Sequence, residues 1–203
     1  TIVISCPASA DGHPLSVAVV TAFSEAGLKA ERIADAVGMK WSKMISNLMA
    51  NASSAILNMT PSEVFSNPVS YRLEAAQLRE TLRVMQAHEI QPVDIPGIPI
   101  RLLCAGLRYL PDWLMKAVLK KSVGSGRGGK MPSFHIDLYA GRKQTEVDFL
   151  NGAVVCYAMK KGIPVPVNHV FQQTLRAMAA GDIPLDAFDH QPDKLARLVS
   201  DTI

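Results

Sequence analysis

Apolar residues recur at intervals of three and four from Asp35 onward, and this helical period constrains the fold more than any other feature of the sequence. The segment 68–88 shows the pattern most clearly. Its apolar positions are Leu73, Leu78, Leu82 and Met85, and its charged positions are Arg72, Glu74, Arg79, Glu80 and Arg83. An amphipathic pattern of this length predicts an α-helix that buries its apolar side and exposes its charged side.

Start and stop signals predict how the remaining helical sequence is divided. Asp35 is of an N-capping residue type and precedes a long predicted helix that runs to about Asn58. Thr60, with a proline next and Glu63 three residues later, opens another helix, and Thr145 opens one that continues to residue 162. The prediction also includes two short helices within 95–119, a short helix over 133–140 and a last long helix over 168–180.

Residues 1–33 differ in character from the rest of the chain. A short apolar strand over 1–5, an amphipathic helix over 14–26 and a second short strand over 28–33 indicate α/β structure. We therefore predict a mainly α protein with two parts, a short α/β tail over 1–33 and a helical domain over 34–203.

Composition excludes several functional classes. The formal net charge is only +3, which gives no reason to expect nucleic acid or an acidic membrane surface as a partner. The sequence contains no run of 18 apolar residues, so it predicts no membrane-spanning helix. The three cysteines are far apart and the five histidines lack metal-ligand spacing, so we expect reduced thiols, a cytoplasmic location and no metal site.

The stretch 124–131, GSGRGGKM, resembles a phosphate-binding P-loop because Gly124 and Gly129-Lys130 have the spacing of that motif. A P-loop also needs a strand before it, a helix after it, and a Ser or Thr hydroxyl next to the lysine. Here a helical pattern precedes the glycines, and Met131 and Pro132 follow the lysine. We interpret the stretch as a basic loop. Its Arg127 and Lys130 are then available to an anionic substrate or a cofactor phosphate.

Lys43, Asn47 and Asn51 are spaced at i, i+4 and i+8 of the predicted helix over 35–58. On a continuous helix they drift by only about 80° and therefore share one face. A solvated surface is the simple interpretation of such a stripe. Two asparagines within a helix are nevertheless unfavourable, and the stripe lacks the Glu and Lys mixture of a merely wet surface.

Glu146 and Ser133 are both predicted near helix starts. The positive end of a helix dipole favours an ionised Glu146, which would then accept hydrogen bonds rather than donate a proton. Ser133 is a predicted N-cap close to Arg127 and Lys130. Ordinary capping would explain either residue, and carboxylate or phosphate binding is a second interpretation of Ser133.

Three segments together resemble the ketopantoate reductase family, whose members are 2-dehydropantoate 2-reductases. They are KMISNLMAN, KQTEVDFLNG and GIPVPVN, and they span 43–168 in the family's order. The resemblance implies an all-helical C-terminal domain of the 6-phosphogluconate dehydrogenase C-terminal-like type. It also implies that residues 1–33 are the end of a dinucleotide-binding domain, since no GxGxxG fingerprint follows a strand in this sequence.

The resemblance also implies a role for each candidate residue. Lys43 would be the general acid that protonates the keto oxygen while NADPH supplies hydride, and Glu146 would accept a hydrogen bond from the substrate hydroxyl. Asn47 and Asn51 would orient the substrate and the ammonium group, and Ser133 would contact the substrate carboxylate. A chain without the fingerprint should bind NADPH poorly and be inactive alone.

Two functional hypotheses follow from the sequence. The first is the C-terminal part of an NADPH-dependent 2-keto acid reductase that converts 2-dehydropantoate, or a related acid, to its 2-hydroxy product. The second is a helical interaction or regulatory module that keeps the fold without the catalysis. For the enzyme we also expect a homodimer, because the helical domain is rich in apolar residues.

Overall fold

The computed structural model describes residues 1–5, 14–124, 129–143 and 145–202. Two strands and eleven α-helices account for most of these residues, together with one short 3-10 helix, Glu146–Phe149. The strands are β1 (Ile2–Ser5) and β2 (Ala30–Ile33). The helices are α1 (Pro14–Glu25), α2 (Ala36–Leu48), α3 (Asn51–Leu57), α4 (Pro61–Ser66), α5 (Pro68–Ala87), α6 (Ile100–Tyr109), α7 (Asp112–Gly124), α8 (Ser133–Tyr139), α9 (Asn151–Met159), α10 (Pro166–Ala180) and α11 (Pro192–Ser200).

The mainly α fold is confirmed, with a small α/β unit before it. Strands β1 and β2 pair in parallel, with Ile2 opposite Ala30 and Ser5 opposite Ile33, and α1 connects them. In the helical part, the core is formed where α3, α5 and α10 pack together, and every residue of α3 is buried. Within the described ranges, no helix combines the length and the apolar character that a membrane crossing needs.

The predicted long helix over 35–58 is wrong, because it is interrupted after Leu48. Asp35 does cap α2, accepting a hydrogen bond from the Gly38 amide at 2.8 Å. Ala50, however, adopts a left-handed conformation with φ 54°. Its amide donates to Glu74 Oε2 at 2.8 Å, and the Leu48 carbonyl accepts from Gln77 Nε2 at 3.2 Å. Two side chains of α5 thus bind backbone groups that a continuous helix would pair internally.

Helix α5 has the predicted position, but two of its predicted exposed acids are buried. Asn67 caps the helix with hydrogen bonds to the amides of its first turn. Glu74 and Glu80 have exposed fractions of 0% and 3%, so the sequence assigned both to the wrong side. The apolar pattern did not reveal them, because backbone amides from other elements satisfy their carboxylates.

Glu80 binds the start of α10. Its Oε1 accepts from the Val167 amide at 3.0 Å, and its Oε2 accepts from the Asn168 amide at 3.0 Å and from Asn168 Nδ2 at 2.7 Å. Asn151 Nδ2 donates to Asn168 Oδ1 and to Gln77 Oε1. Glu74, Gln77, Glu80, Asn151 and Asn168 therefore form one buried polar network, which joins α5 to α9, α10 and the α2–α3 interruption.

Four further expectations are corrected by the structure. The helix predicted over 145–162 is divided into the 3-10 helix and α9, since Leu150 leaves the helical region with ψ −86°. Thr145 makes no side-chain capping hydrogen bond. The last long helix begins at Pro166 rather than Asn168, and it is followed by α11, where no helix was predicted.

Burial raises the pKa of Glu74 to about 7, against hydrogen bonds from the Ala50 amide and Gln77 Nε2 that favour the charged form. The folded protein then retains a proton that the unfolded chain releases near pH 4.5, so stability falls as pH rises from about 4.5 to about 7. Glu74→Gln should remove this contribution, about 3 kcal/mol at its largest. Urea unfolding of the wild type and of Glu74→Gln across this pH range measures how the free energy of unfolding of each protein depends on pH.

Glu63 provides a control because its pKa is shifted in the opposite direction to that of Glu74. Hydrogen bonds from the Thr60 hydroxyl and amide lower its pKa, so the stabilisation it provides is lost as pH falls through that lowered value. Glu63→Gln should therefore leave the slope between about pH 4.5 and 7 unchanged. Parallel profiles for the wild type and Glu74→Gln would contradict the assignment to Glu74.

Candidate active site

Lys43 and Asn47 lie on the exposed side of α2, one helical turn apart, and line the same groove. The amphipathic pattern of α2 explains their position, since Trp41, Met44 and Ile45 are buried on its other side. Among the residues that the structure describes, no acid forms an ion pair with Lys43. The Lys43 ammonium is therefore available to a ligand in this groove.

The opposite wall of the groove comes from the 3-10 helix and α9. The groove has a volume of about 350 Å³ and is lined by Lys40, Trp41, Lys43, Met44, Asn47, Phe149, Leu150, Ala153 and Tyr157. Trp41 and Tyr157 pack edge to face, with ring centroids 5.1 Å apart. His88 Nε2 hydrogen-bonds the Tyr157 carbonyl oxygen at 2.9 Å, which fixes the start of the last turn of α9. The groove thus combines two ammonium groups and a carboxamide with aromatic walls.

Asn51 does not share a continuous helix with Lys43 and Asn47, because the chain turns at Ala50. Its side chain is buried and faces α8. Asn51 Oδ1 accepts a hydrogen bond from the Phe134 amide at 3.0 Å, and Nδ2 donates to Ser133 Oγ at 3.4 Å. The carboxamide of Asn51 therefore caps the N-terminus of α8 from another part of the fold.

Ser133 does not cap α8, contrary to the prediction. It is the first residue of the helix, Pro132 occupies the cap position, and neither provides a side-chain capping bond. Ser133 is exposed beside Asn51. Glu146 is also exposed, and it opens the 3-10 helix whose last residue, Phe149, lines the groove. The structure thus places Lys43 with Asn47 and Asn51 with Ser133, and Glu146 lies three residues before Phe149.

Packing accounts for several residues of the segment 146–152. Asp148 accepts a hydrogen bond from Gln172 Nε2 at 2.7 Å. A Cβ atom at Gly152 would lie 2.5 Å from the same Gln172 nitrogen, so a larger residue there would displace the Gln172 side chain from Asp148. Asn151 is fully buried in the polar network. From the sequence, only the polar residues that face the protein interior could have indicated these packing roles.

The basic loop has no P-loop context. A helix, α7, ends at Gly124 where that motif needs a strand, and residues 125–128, with Arg127, lie outside the described residues. Lys130 is exposed. In the described part of the chain, no group of three or more His, Cys, Asp or Glu side chains could hold a metal ion.

Sequence comparison identifies the helical part of the chain. Residues 35–179 match the family described as ketopantoate reductase PanE/ApbA C terminal. The chain belongs to this family. The ketopantoate reductase motif over 43–51 is thus divided between α2 and α3, and the later motif over 145–152 forms the 3-10 helix and the start of α9.

Curated relatives share the ketopantoate reductase name. The 2-dehydropantoate 2-reductase of Streptococcus pyogenes serotype M3 is 26% identical over 80% of this chain and 47% of its own length. That of Pyrococcus horikoshii is 25% identical over 76% of this chain and 44% of its own length. The chain spans about half the length of these relatives.

Solved structures share the fold. A PanE/ApbA family ketopantoate reductase from Ralstonia eutropha JMP134 superimposes with a TM-score of 0.68 at 22% identity, over 88% of this chain and 51% of that one. A D-mandelate dehydrogenase, in a ternary structure with NADH and anilino(oxo)acetate, gives 0.61 at 20% identity, over 83% of this chain and 82% of that one.

The capping role of Asn51 can be tested by substitution. Asn51→Ala removes the acceptor of the Phe134 amide and should lower the free energy of unfolding by about 1 kcal/mol. Asn47→Ala, on the exposed side of α2, is the matched control and should change it by less than about 0.5 kcal/mol. Chemical denaturation measures both, and equal effects would contradict the capping assignment.

Proposed function

We propose that this chain is the substrate-side part of an NADPH-dependent 2-keto acid reductase, with 2-dehydropantoate or a related 2-keto acid as substrate. The observation that carries the proposal is the Lys43 ammonium, which pairs with no acid of the described residues, in a groove formed by both family motifs. Asn47 lies one turn away in the same groove. Family membership and the reductase names of the relatives support the same reaction class.

Lys43 is the proposed general acid. Reduction of a ketone places the electron pair of the carbonyl bond on oxygen as hydride reaches the carbon, and the oxygen then needs a proton. An ammonium group within hydrogen-bond reach stabilises that negative charge and donates the proton. The exposed end of Lys43 can reach a ligand in the groove without first breaking an ion pair.

The other residues have binding roles in this proposal. Asn47 orients the keto acid beside Lys43, and Asn51 with Ser133 provides hydrogen-bonding groups at the start of α8. Glu146, exposed before the groove wall, accepts a hydrogen bond from a substrate hydroxyl as its carboxylate. A carboxylate and an ammonium on either side of a polar substrate would fix its orientation.

The residues of this chain do not fit a complete nicotinamide site. The β1–α1–β2 unit is a parallel pair with a connecting helix, but the sequence has no glycine fingerprint after a strand. We therefore propose that NADPH, which supplies the hydride when bound, is held mainly by residues outside this chain. By this proposal the isolated chain is inactive.

Substitution of Lys43 tests the catalytic assignment. In the complete protein with NADPH and a panel of 2-keto acids, Lys43→Ala should lower kcat by about 100-fold or more, the scale of lost acid catalysis. Lys40→Ala is the matched control, because Lys40 lines the same groove from the same helix. It should retain kcat within about threefold, since it loses only an exposed charge.

Two outcomes would contradict the proposal at different levels. Near-normal kcat for Lys43→Ala would contradict the general-acid role of Lys43 but not the proposed reductase activity. A complete protein that turns over no 2-keto acid with either nicotinamide would favour a helical module without catalysis.

A homodimer is part of the proposal, and exposed apolar side chains on α6 and α7 support it. Leu102, Tyr109 and Trp113 have exposed fractions of 72%, 81% and 74%. Burial of such side chains against a second copy would release water from their apolar surface. Light scattering should give twice the mass of the complete chain, and Trp113→Glu should reduce the measured mass to that of a single chain. A wild-type monomer would contradict the homodimer.

A further inference from the structure

The turn between α2 and α3 is held from outside by α5. Ala50 in this turn adopts a left-handed conformation, which is unfavourable for a non-glycine residue. The Ala50 amide finds its partner in Glu74 Oε2, and the preceding Leu48 carbonyl finds its partner in Gln77. Without these acceptors and donors, two buried backbone groups would lose their hydrogen bonds.

This turn decides where Asn51 points. On a continuous helix Asn51 would follow Lys43 and Asn47 along the exposed side. Because the chain turns at Ala50, the Asn51 side chain is buried and reaches the Phe134 amide and Ser133 Oγ. The bond from Glu74 to Ala50 is therefore immediately adjacent to a residue of the proposed site.

Packing alone does not explain an acid at position 74. Removing a carboxylate from water costs several kcal/mol, and an apolar side chain of similar volume usually packs as well or better. Only Oε2 of Glu74 forms hydrogen bonds in the described structure, while Oε1 has no hydrogen-bond partner despite its proximity to Ser53. The feature that an apolar residue could not supply is the acceptor for the Ala50 amide.

We propose that Glu74 is a positioning residue: through the Ala50 amide it holds the α2–α3 turn and thereby aligns Asn51 with the start of α8. The inference rests on the proposed function for its catalytic consequence. Asn58 at the other end of α3 hydrogen-bonds His135 at 2.8 Å, so α8 keeps one contact with α3 when the turn loosens. The effect of losing Glu74 is then confined to the Asn51 end of α8.

Amide hydrogen exchange and steady-state kinetics on the complete protein test the proposal. Glu74→Met fills similar volume without an acceptor, and Glu74→Gln keeps an uncharged one. At about pH 8, above the pKa of about 7 of Glu74, we expect exchange of the Ala50 and Phe134 amides to be about 30-fold faster in Glu74→Met and about fivefold faster in Glu74→Gln, because charge-assisted hydrogen bonds are roughly twice as strong as neutral ones. The value of kcat/KM should fall in the same order.

Ser70→Ala is the control for a general loss of stability. Ser70 lies on the same helix, is fully buried and donates to the Val64 carbonyl at 2.6 Å, away from the α2–α3 turn. Ser70→Ala should lower the equilibrium constant for folding by about fivefold. Its Phe134 amide should nevertheless exchange as in the wild type, apart from any contribution of global unfolding, and kcat/KM should stay within about threefold, since the turn is intact.

Each result decides the proposal. Equal Phe134 exchange and equal kcat/KM in Glu74→Met and Ser70→Ala would overturn it. If Glu74→Met does not fold, Glu74→Gln decides, and a Phe134 exchange rate equal to that of Ser70→Ala overturns the proposal. A wild-type protein without reductase activity would remove the proposed function instead, and the exchange comparison would still decide whether Glu74 aligns Asn51.

Discussion

The Ala50 amide donates to the buried Glu74 carboxylate instead of to a carbonyl of its own helix. This exchange of partners separates α2 from α3, sends α3 into the core and leaves Lys43 and Asn47 on an exposed helix. The bond is retained although desolvation of the acid is costly, because an unpaired amide at the same depth would also be costly. Much of the site geometry depends on this one hydrogen bond, in which a side-chain carboxylate accepts from an amide in place of a backbone carbonyl.

The same physical arrangement recurs at two helix starts. Asn51 caps α8, and Glu80 caps α10, and in both cases the cap comes from a distant part of the chain. Backbone amides in the first turn have no partner within their own helix, so an external acceptor fixes both the position and the direction of that helix. The polar core of this domain therefore acts as a set of fixed connections between helix ends.

Sequence patterns predicted the elements that depend on local interactions. The Asp35 cap, the Thr60–Glu63 capping box and the apolar side of α5 are all present, because each depends on residues three or four apart. The family was also accessible, since its motifs are short and ordered along the chain.

Features that depend on distant partners were not predictable in this way. Ala50 is a strong helix former, and nothing near it in sequence indicates that Glu74, 24 residues later, binds its amide. Glu74 and Glu80 resemble ordinary surface charges on an amphipathic helix until the backbone of other elements is placed against them. Ser133 was assigned a capping role that Asn51 performs, because a cap from a remote residue leaves no local pattern.

The cap on α8 also determines which atom of the Asn51 carboxamide is already engaged in a hydrogen bond. Its oxygen must face the Phe134 amide, since a flipped side chain would bring two donors together. The nitrogen is left with one long contact to Ser133. A molecule that reaches this asparagine therefore meets a hydrogen-bond donor of fixed direction, which discriminates in favour of carbonyl, carboxylate or hydroxyl oxygens and against amine groups.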